Sequence, residues 1–533
     1  MTDRDRWPDR PRLVPRRTLL GAGVGIGSLW AAGCVPTPMY PPQSGQPFEG
    51  VGTFPGGIGS ADPTPTSVLL WTRVHPEFDR GEGIAVRVEV ATSPAFADSD
   101  VVFVRDARAV AERDYCVTVD ATGLRPGTTY WYRFASAGAT SSLGRTRTAP
   151  APGASGEALR VAAFSCQRWT HGYYTAHADL AARADHPDTD VDLVVCLGDY
   201  VYETGYADRV YVHGRDDPIQ RAVTREQFRS KYRLYRSDPN LQAMHALYPV
   251  MHIFDNHDGL SAPGDDQADG SIAAFFEHLP VRSVDGRRIW RSLRWGDIAE
   301  IFLTDQRSYR DPTLDESGPL GTSTEERPEI LDPSRSMLGP EQRAWLLAGL
   351  AGSTARWKVW GSQLMFWPWR TLPRLPGQQR GAGVYLNLAQ WDGYAAERLA
   401  ILDHLEVHDV RDTVVFSGDS HIFSAAQVAP DVDDPGSRPR VVELGTGSIT
   451  SNNADENGYP GDDVTRPLFS SANPNHLRFI ETERHGYVLA EFGASSAEFE
   501  FRSPRTIHRA TSEVDTLARF TVAAGTQRLR RVR

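Results

Sequence analysis

A layered α/β domain preceded by a small all-β sandwich is the fold class this sequence predicts, on three observations. Four short apolar runs stop abruptly in residues able to bind metal. They are 161–164 before Ser165-Cys166-Gln167, 193–197 before Gly198-Asp199-Tyr200-Val201-Tyr202, 250–254 before Asp255-Asn256-His257-Asp258, and 414–416 before Ser417-Gly418-Asp419-Ser420-His421. Apolar runs of this length are buried strands. From about residue 158 to 505 such runs alternate with helical patterns, as in a layered α/β domain. Between 49 and 150, short alternating segments are separated by Gly/Pro turns.

The elements follow in chain order. Residues 1–33 form a removable twin-arginine signal peptide: Arg16-Arg17-Thr18-Leu19-Leu20 precedes a Gly/Ala-rich apolar stretch at 19–32. That stretch is too short and too rich in Gly for a membrane span, which needs about 20 strongly apolar residues. The twin-arginine (Tat) export machinery is thus an expected partner, and a periplasmic or extracellular location follows. Ala31-Ala32-Gly33-Cys34 resembles a lipoprotein cleavage site, although Ala stands where Leu would strengthen it. A lipid anchor at Cys34 and plain cleavage nearby both remain open. Residues 34–48, with Pro36, Pro38, Pro41 and Pro42, form an extended linker.

Residues 49–150 predict a β-sandwich of immunoglobulin or fibronectin type. Its strands include 66–74, the alternating run 84–90, and 128–134 after the turn Leu124-Arg125-Pro126-Gly127. The Gly/Ala/Pro/Ser stretch 149–156 marks the boundary to a catalytic domain at 155–505. There, 300–303, 357–360, 441–444 and 487–492 also predict strands, and Leu338-Gly339-Pro340-Glu341-Gln342 opens a helix with Pro in its first turn. Residues 506–533 predict a helical tail with a solvated basic end.

The formal net charge of −11 argues against a nucleic-acid-binding domain. Four Cys in a chain of 533 residues do not make a disulfide framework. Cys116 and Cys196 lie within strand-like runs, where a buried small side chain is expected. Cys166 lies at a strand end, where a thiolate can bind metal.

In α/β sheets, ligands sit beyond the carboxyl ends of strands. Four ends bearing Cys, Asp, Tyr, Asn and His therefore point to a metal-dependent hydrolase. Asp199 follows Gly198, which permits close backbone approach, and is the candidate to bridge two ions. Asp419 and His421 form a second Gly-Asp-x-His unit. Asn256 offers a neutral carbonyl oxygen, and His257 is the candidate general acid. Thiolate and phenolate, from Cys166 and Tyr202, favour ferric iron, whereas oxygen-only ligands suit calcium. Each motif alone has a plainer reading as turn, cap or buried cysteine; the combination carries the argument.

Together with Thr304-Asp305-Gln306-Arg307-Ser308-Tyr309-Arg310, Met337-Leu338-Gly339-Pro340-Glu341-Gln342, Gln390-Trp391-Asp392-Gly393-Tyr394, Asn473-Pro474-Asn475-His476 and Arg484-His485-Gly486-Tyr487, these segments resemble the PhoD-like alkaline phosphatase family. The resemblance implies a metallophosphoesterase-type α/β sandwich and an exported hydrolase of phosphomonoesters and phosphodiesters, with a metal-bound hydroxide attacking phosphorus. A phospholipase-D-type enzyme specific for phospholipid head groups is the alternative. The implied cofactors are ferric iron (Fe3+) and calcium (Ca2+). Cys166, Asp199 and Tyr202 would hold the iron, Asp419 and His421 would complete the metal site, and Arg307 would lie near the phosphate or form a structural ion pair. One departure matters. The family usually has Asp-Asp-His-Glu where this chain has Asp255-Asn256-His257-Asp258, which makes the ligand at 256 neutral. That departure leaves open a non-catalytic surface binding protein with a degenerate site.

Overall fold

The computed structural model describes residues 52–532 except 157, 206–211, 213, 261–263, 265–266, 284–285 and 315–320. The twin-arginine segment, Cys34 and the linker lie outside the described residues. No helix among the described residues is long and apolar enough to cross a membrane.

Two mixed sheets stack face to face, with ten strands in one and seven in the other among the described residues. At the heart of the first, Leu159–Phe164, Leu193–Cys196 and Pro249–His252 run parallel. At the heart of the second, Ala299–Leu303, Trp357–Ser362, Thr413–Ser417 and Val441–Thr446 also run parallel. Each of these strands lies at a run the sequence singles out.

The runs are continuously apolar because successive side chains serve two different cores. Val414 and Phe416 join the core between the sheets. Val415 points the other way, into a core shared with Leu346 and Leu350 of the helix Pro340–Gly352 and Ile401, Leu402 and Leu405 of the helix Ala395–Val407. A strand covered on both faces has no solvent side to be polar. Burying one such side chain stabilises the fold by about 1.5–3 kcal/mol. Truncating fully buried Phe416 to Ala would cost about 3–5 kcal/mol.

The N-terminal region is all-β, and one wall of its sandwich is the edge of the ten-stranded sheet. Ile58–Ala61 pairs in parallel with Pro249–His252, Ser60 facing Pro249 and Ala61 facing Val250. Ser67–Arg73 and Cys116–Thr122 continue that edge. The opposite wall is a separate antiparallel sheet of Ile84–Ala91, Val101–Ala109, Thr129–Ser136, Ala139–Thr140 and Gly144–Arg147. Val68, Leu70, Val86, Val88, Tyr132 and Phe134 fill the space between the walls. A buried ionic knot fastens this region to the helices beside it. Asp114 accepts from Arg73 Nε at 3.1 Å and Arg233 Nη1 at 2.7 Å, and lies 3.0 Å from His278 Nε2.

The predicted helical tail at 506–533 is instead a pair of strands, Val514–Ala523 and Arg530–Val532, added to the other edge of the ten-stranded sheet. The decisive period is two: Ala518, Phe520 and Val522 are buried, whereas Arg519 and Ala523 are exposed. The abundance of Arg and Ala resembles a helix only when that alternation is overlooked.

Candidate metal centre

Parallel register brings the candidate residues to one level. Phe164, Cys196 and His252 are partners across adjacent strands, so the segments after them emerge side by side. From the second sheet, Ser417 lies opposite Ser362, which brings up the loop with Asp419 and His421. Cys166, Asp199, Asp419 and His421 all have positive φ, at 59°, 53°, 59° and 56°. Non-glycine residues seldom adopt this left-handed conformation, and its concentration in one crevice fits the backbone strain stored at functional sites. Gly198 has φ +106°, and a Cβ there would lie 2.4 Å from Asp255 Cβ. Only glycine lets the turn bearing Asp199 pack against the turn bearing Asn256 and His257.

Cys166, Asp199 and His421 offer ligand atoms within 4.8 Å of one another, all at least partly buried. Cys166 Sγ lies 3.6 Å from Asp199 Oδ2. Tyr202 joins them: its hydroxyl donates to Asp199 Oδ2 at 3.1 Å and lies 3.3 Å from His421 Nε2. Asp199 Oδ1 faces the other way and accepts from the backbone N–H of His257 at 3.0 Å. One carboxylate therefore spans both halves of the crevice, as a bridging role requires.

The second half is built around Arg307, placed by Asp305, whose Oδ1 accepts from the N–H groups of Arg307 and Ser308. The guanidinium donates to Asp255 Oδ1, to Asn256 Oδ1 at 3.1 Å and to Asp419 Oδ1 at 2.6 Å. Arg307 thus forms buried ion pairs with Asp255 and Asp419. Gln390 Nε2 donates to the other oxygen of Asp419. His421 Nδ1 lies 2.7 Å from the carbonyl oxygen of Asn452, which leaves Nε2 for the cluster. Asp258 ties the two turns together: its carboxylate accepts from the N–H of Val201 at 3.0 Å and of Asp255 at 2.9 Å.

The electrostatics suit a cation. Burial pushes the Cys166 thiol and the Tyr202 phenol well up, and the Asp199 carboxylate adds to both shifts. A bound cation reverses that balance by favouring thiolate and phenolate. Burial also pushes Asp255 well up, with Asp419 and Asp199 adding to the shift against Arg307. The second oxygen of Asp255 is buried without a hydrogen-bond partner. Burial would lower the pKa of His257, but the carboxylates of Glu203 and Asp199 outweigh it and raise it to about 9. Soft sulfur and phenol on one side, with amide and carboxylate oxygens on the other, fit a mixed pair of ions.

All eight residues singled out from the sequence gather in this crevice. The sequence pattern did not assign roles to Asp255, Glu203, Gln390 or Ser451. The first three lie within or beside quoted motifs, so adjacency was their signal. Ser451 has none. Its hydroxyl nevertheless donates to the Tyr202 hydroxyl at 2.6 Å and lies 2.9 Å from the Cys166 carbonyl oxygen. Asp114, Cys116 and His278 form another compact group, but Arg73 and Arg233 already neutralise that carboxylate, which disfavours a cation.

Comparison with known proteins identifies the family. Residues 161–501 match the family model of the PhoD-like phosphatase, and residues 42–150 match that of the PhoD-like phosphatase N-terminal domain. Alkaline phosphatase D of Bacillus subtilis (strain 168) is 30% identical over 543 aligned residues, covering 96% of this chain and 87% of the relative. A solved structure of PhoD superposes with a TM-score of 0.80 at 28% identity, covering 90% of this chain and 92% of that one. Both halves of the sequence, the fold and the overall likeness agree: the chain belongs to the PhoD-like phosphatase family and is a phosphoric ester hydrolase.

Proposed function

We propose that this chain is an exported, metal-dependent hydrolase of phosphomonoesters and phosphodiesters. The observation that carries the metal dependence is the single crevice in which Asp199 spans two donor sets. Cys166, Tyr202 and His421 lie on one side, and Asn256 and Asp419 on the other. Ferric iron suits the first set and calcium the second. Bound there, the ions would withdraw charge from phosphoryl oxygens and acidify water.

The chain's own groups supply the rest. Asp199 fixes the spacing of the two donor sets. His257, raised to about 9, holds a proton for the leaving alkoxide. Arg307 offsets the negative charge of Asp255 and Asp419 and sets the angle of the Asp419 carboxylate. Asn256 removes one negative charge relative to the usual family motif. The intact cluster around Asp199 supports an active enzyme over a degenerate binding protein. The Arg16-Arg17 pattern supports twin-arginine export, with a lipid anchor at Cys34 as its membrane-attached form.

The test is hydrolysis of bis-p-nitrophenyl phosphate beside p-nitrophenyl phosphate, with calcium and then with a chelator. Chelator-sensitive turnover is expected. No turnover of either ester by folded, metal-loaded protein would overturn the proposal.

A further inference from the structure

His257 is held from three sides. Its backbone N–H donates to Asp199 Oδ1 at 3.0 Å. Its ring stacks on the Tyr202 ring, with centroids 4.1 Å apart and planes 27° apart. Its Nδ1 lies 2.7 Å from Glu203 Oε2. The partners come from one turn, Asp199 to Glu203, so the turn that brings the candidate metal ligands also grips the candidate acid.

Glu203 is itself fixed. Its carbonyl oxygen accepts from the Ala222 N–H at 2.7 Å, and Thr204 next to it takes Arg168 Nη2 on its hydroxyl at 3.1 Å. The carboxylate is thus delivered to Nδ1 by an anchored backbone. An ionised carboxylate is acceptor-only, so it takes the Nδ1–H; in the doubly protonated ring the second proton sits on Nε2, the nitrogen left to face a substrate. Stacking on Tyr202 holds the ring plane, and the Nδ1 contact sets which edge of the ring Glu203 takes.

We propose that Glu203 is a positioning residue for the reaction: it orients the His257 ring so that Nε2 delivers its proton to the departing ester oxygen. This inference rests on the proposed phosphoester hydrolysis and adds a residue to it. Glu203 does not touch the substrate. In the step concerned, the bond from phosphorus to the leaving oxygen breaks, that oxygen keeps the electron pair, and the proton on Nε2 passes to it.

A leaving group that is already a stable anion needs little protonation; an alkoxide needs it most. The experiment compares Glu203→Ala, Glu203→Gln and His257→Asn, in metal-loaded full-length protein, on phosphodiesters with p-nitrophenyl, phenyl and alkyl leaving groups. The expected loss in kcat for Glu203→Ala is about 10- to 100-fold with the alkyl and phenyl leaving groups. It falls to within about threefold with p-nitrophenoxide, where general-acid help matters least. KM and bound metal stay unchanged. Glu203→Gln, which can still accept at Nδ1 through its amide oxygen, should recover part of the loss. Joined to His257→Asn, Glu203→Ala should add nothing further.

An equal loss across all leaving groups, or a loss that follows metal content, overturns the positioning role while leaving the hydrolase reading intact. Absence of turnover by the wild-type protein on every ester overturns both.

Discussion

Arg307 holds Asp419 through a guanidinium nitrogen 2.6 Å from its carboxylate, and the same guanidinium reaches Asp255 on a different sheet. One cation thereby serves two buried carboxylates, fewer positive charges than the crevice calls for. Arg307→Met leaves Asp255 buried without a counter-charge, which costs about 3–5 kcal/mol in the metal-free protein. Bound ions would take over part of that role, so the loss should be smaller in the loaded protein. Thermal denaturation with chelator and with calcium plus iron measures both. Equal losses would contradict the shared charge.

Asp199→Asn keeps the shape of the side chain but removes the charge that spans the two donor sets. Turnover should fall at least about a hundredfold, with an unchanged far-UV circular dichroism spectrum. Retained activity in that variant would exclude the bridging role.

Cys166→Ser replaces the only sulfur in the cluster. Under the proposed assignment, iron per protein molecule, measured by elemental analysis, should fall sharply, whereas calcium, assigned to oxygen donors, should persist. Unchanged iron would remove Cys166 from the ligand set.

Asp114 gathers Arg73 and Arg233 at the seam between the sandwich and the neighbouring helices, and both guanidiniums are buried. Asp114→Asn should destabilise the protein by about 3–5 kcal/mol. Activity per folded molecule should be preserved, because Asp114 stands apart from the metal crevice. Denaturant unfolding paired with assays at low temperature separates stability from catalysis.

Glu443 provides a pH signature. Burial raises its carboxyl from 4.5 to about 7, against the N–H of Phe366 and the hydroxyl of Ser417 that favour the ionised form. A raised acid pKa means that the folded state holds this proton more tightly than the unfolded state. The stability it contributes is therefore full below about pH 4.5 and is lost as pH rises towards 7. Relative to Glu443→Gln, the wild type should lose on the order of 3 kcal/mol across that window. Urea unfolding of both proteins at the two ends of the window reads the difference.

The strands and their loaded ends were legible because a strand buried on both faces writes itself as a continuous apolar run, and its last residue marks where the chain enters the crevice. Asp199, Asp419 and His421 could be placed on that basis. The pairing of Arg307 with Asp255 was not legible, since the two lie 52 residues apart, in segments that follow strands of different sheets. Ser451 carries no chemical label and matters only because its loop crosses Tyr202. The sandwich was visible in its turns and alternation. Its merger with the main sheet was not, because a parallel pairing of Ser60 with Pro249 leaves no local trace. The C-terminal strands were obscured by residues that favour helices individually.

That merger has a consequence for the order in which the chain is made. Ile58–Ala61 leaves the ribosome long before Pro249–His252, its partner across the sheet. Until that partner arrives, the sandwich carries an unpaired strand edge, the kind of surface on which chains associate wrongly. The nascent protein therefore passes through a vulnerable interval that closes only when the central strands have been synthesised.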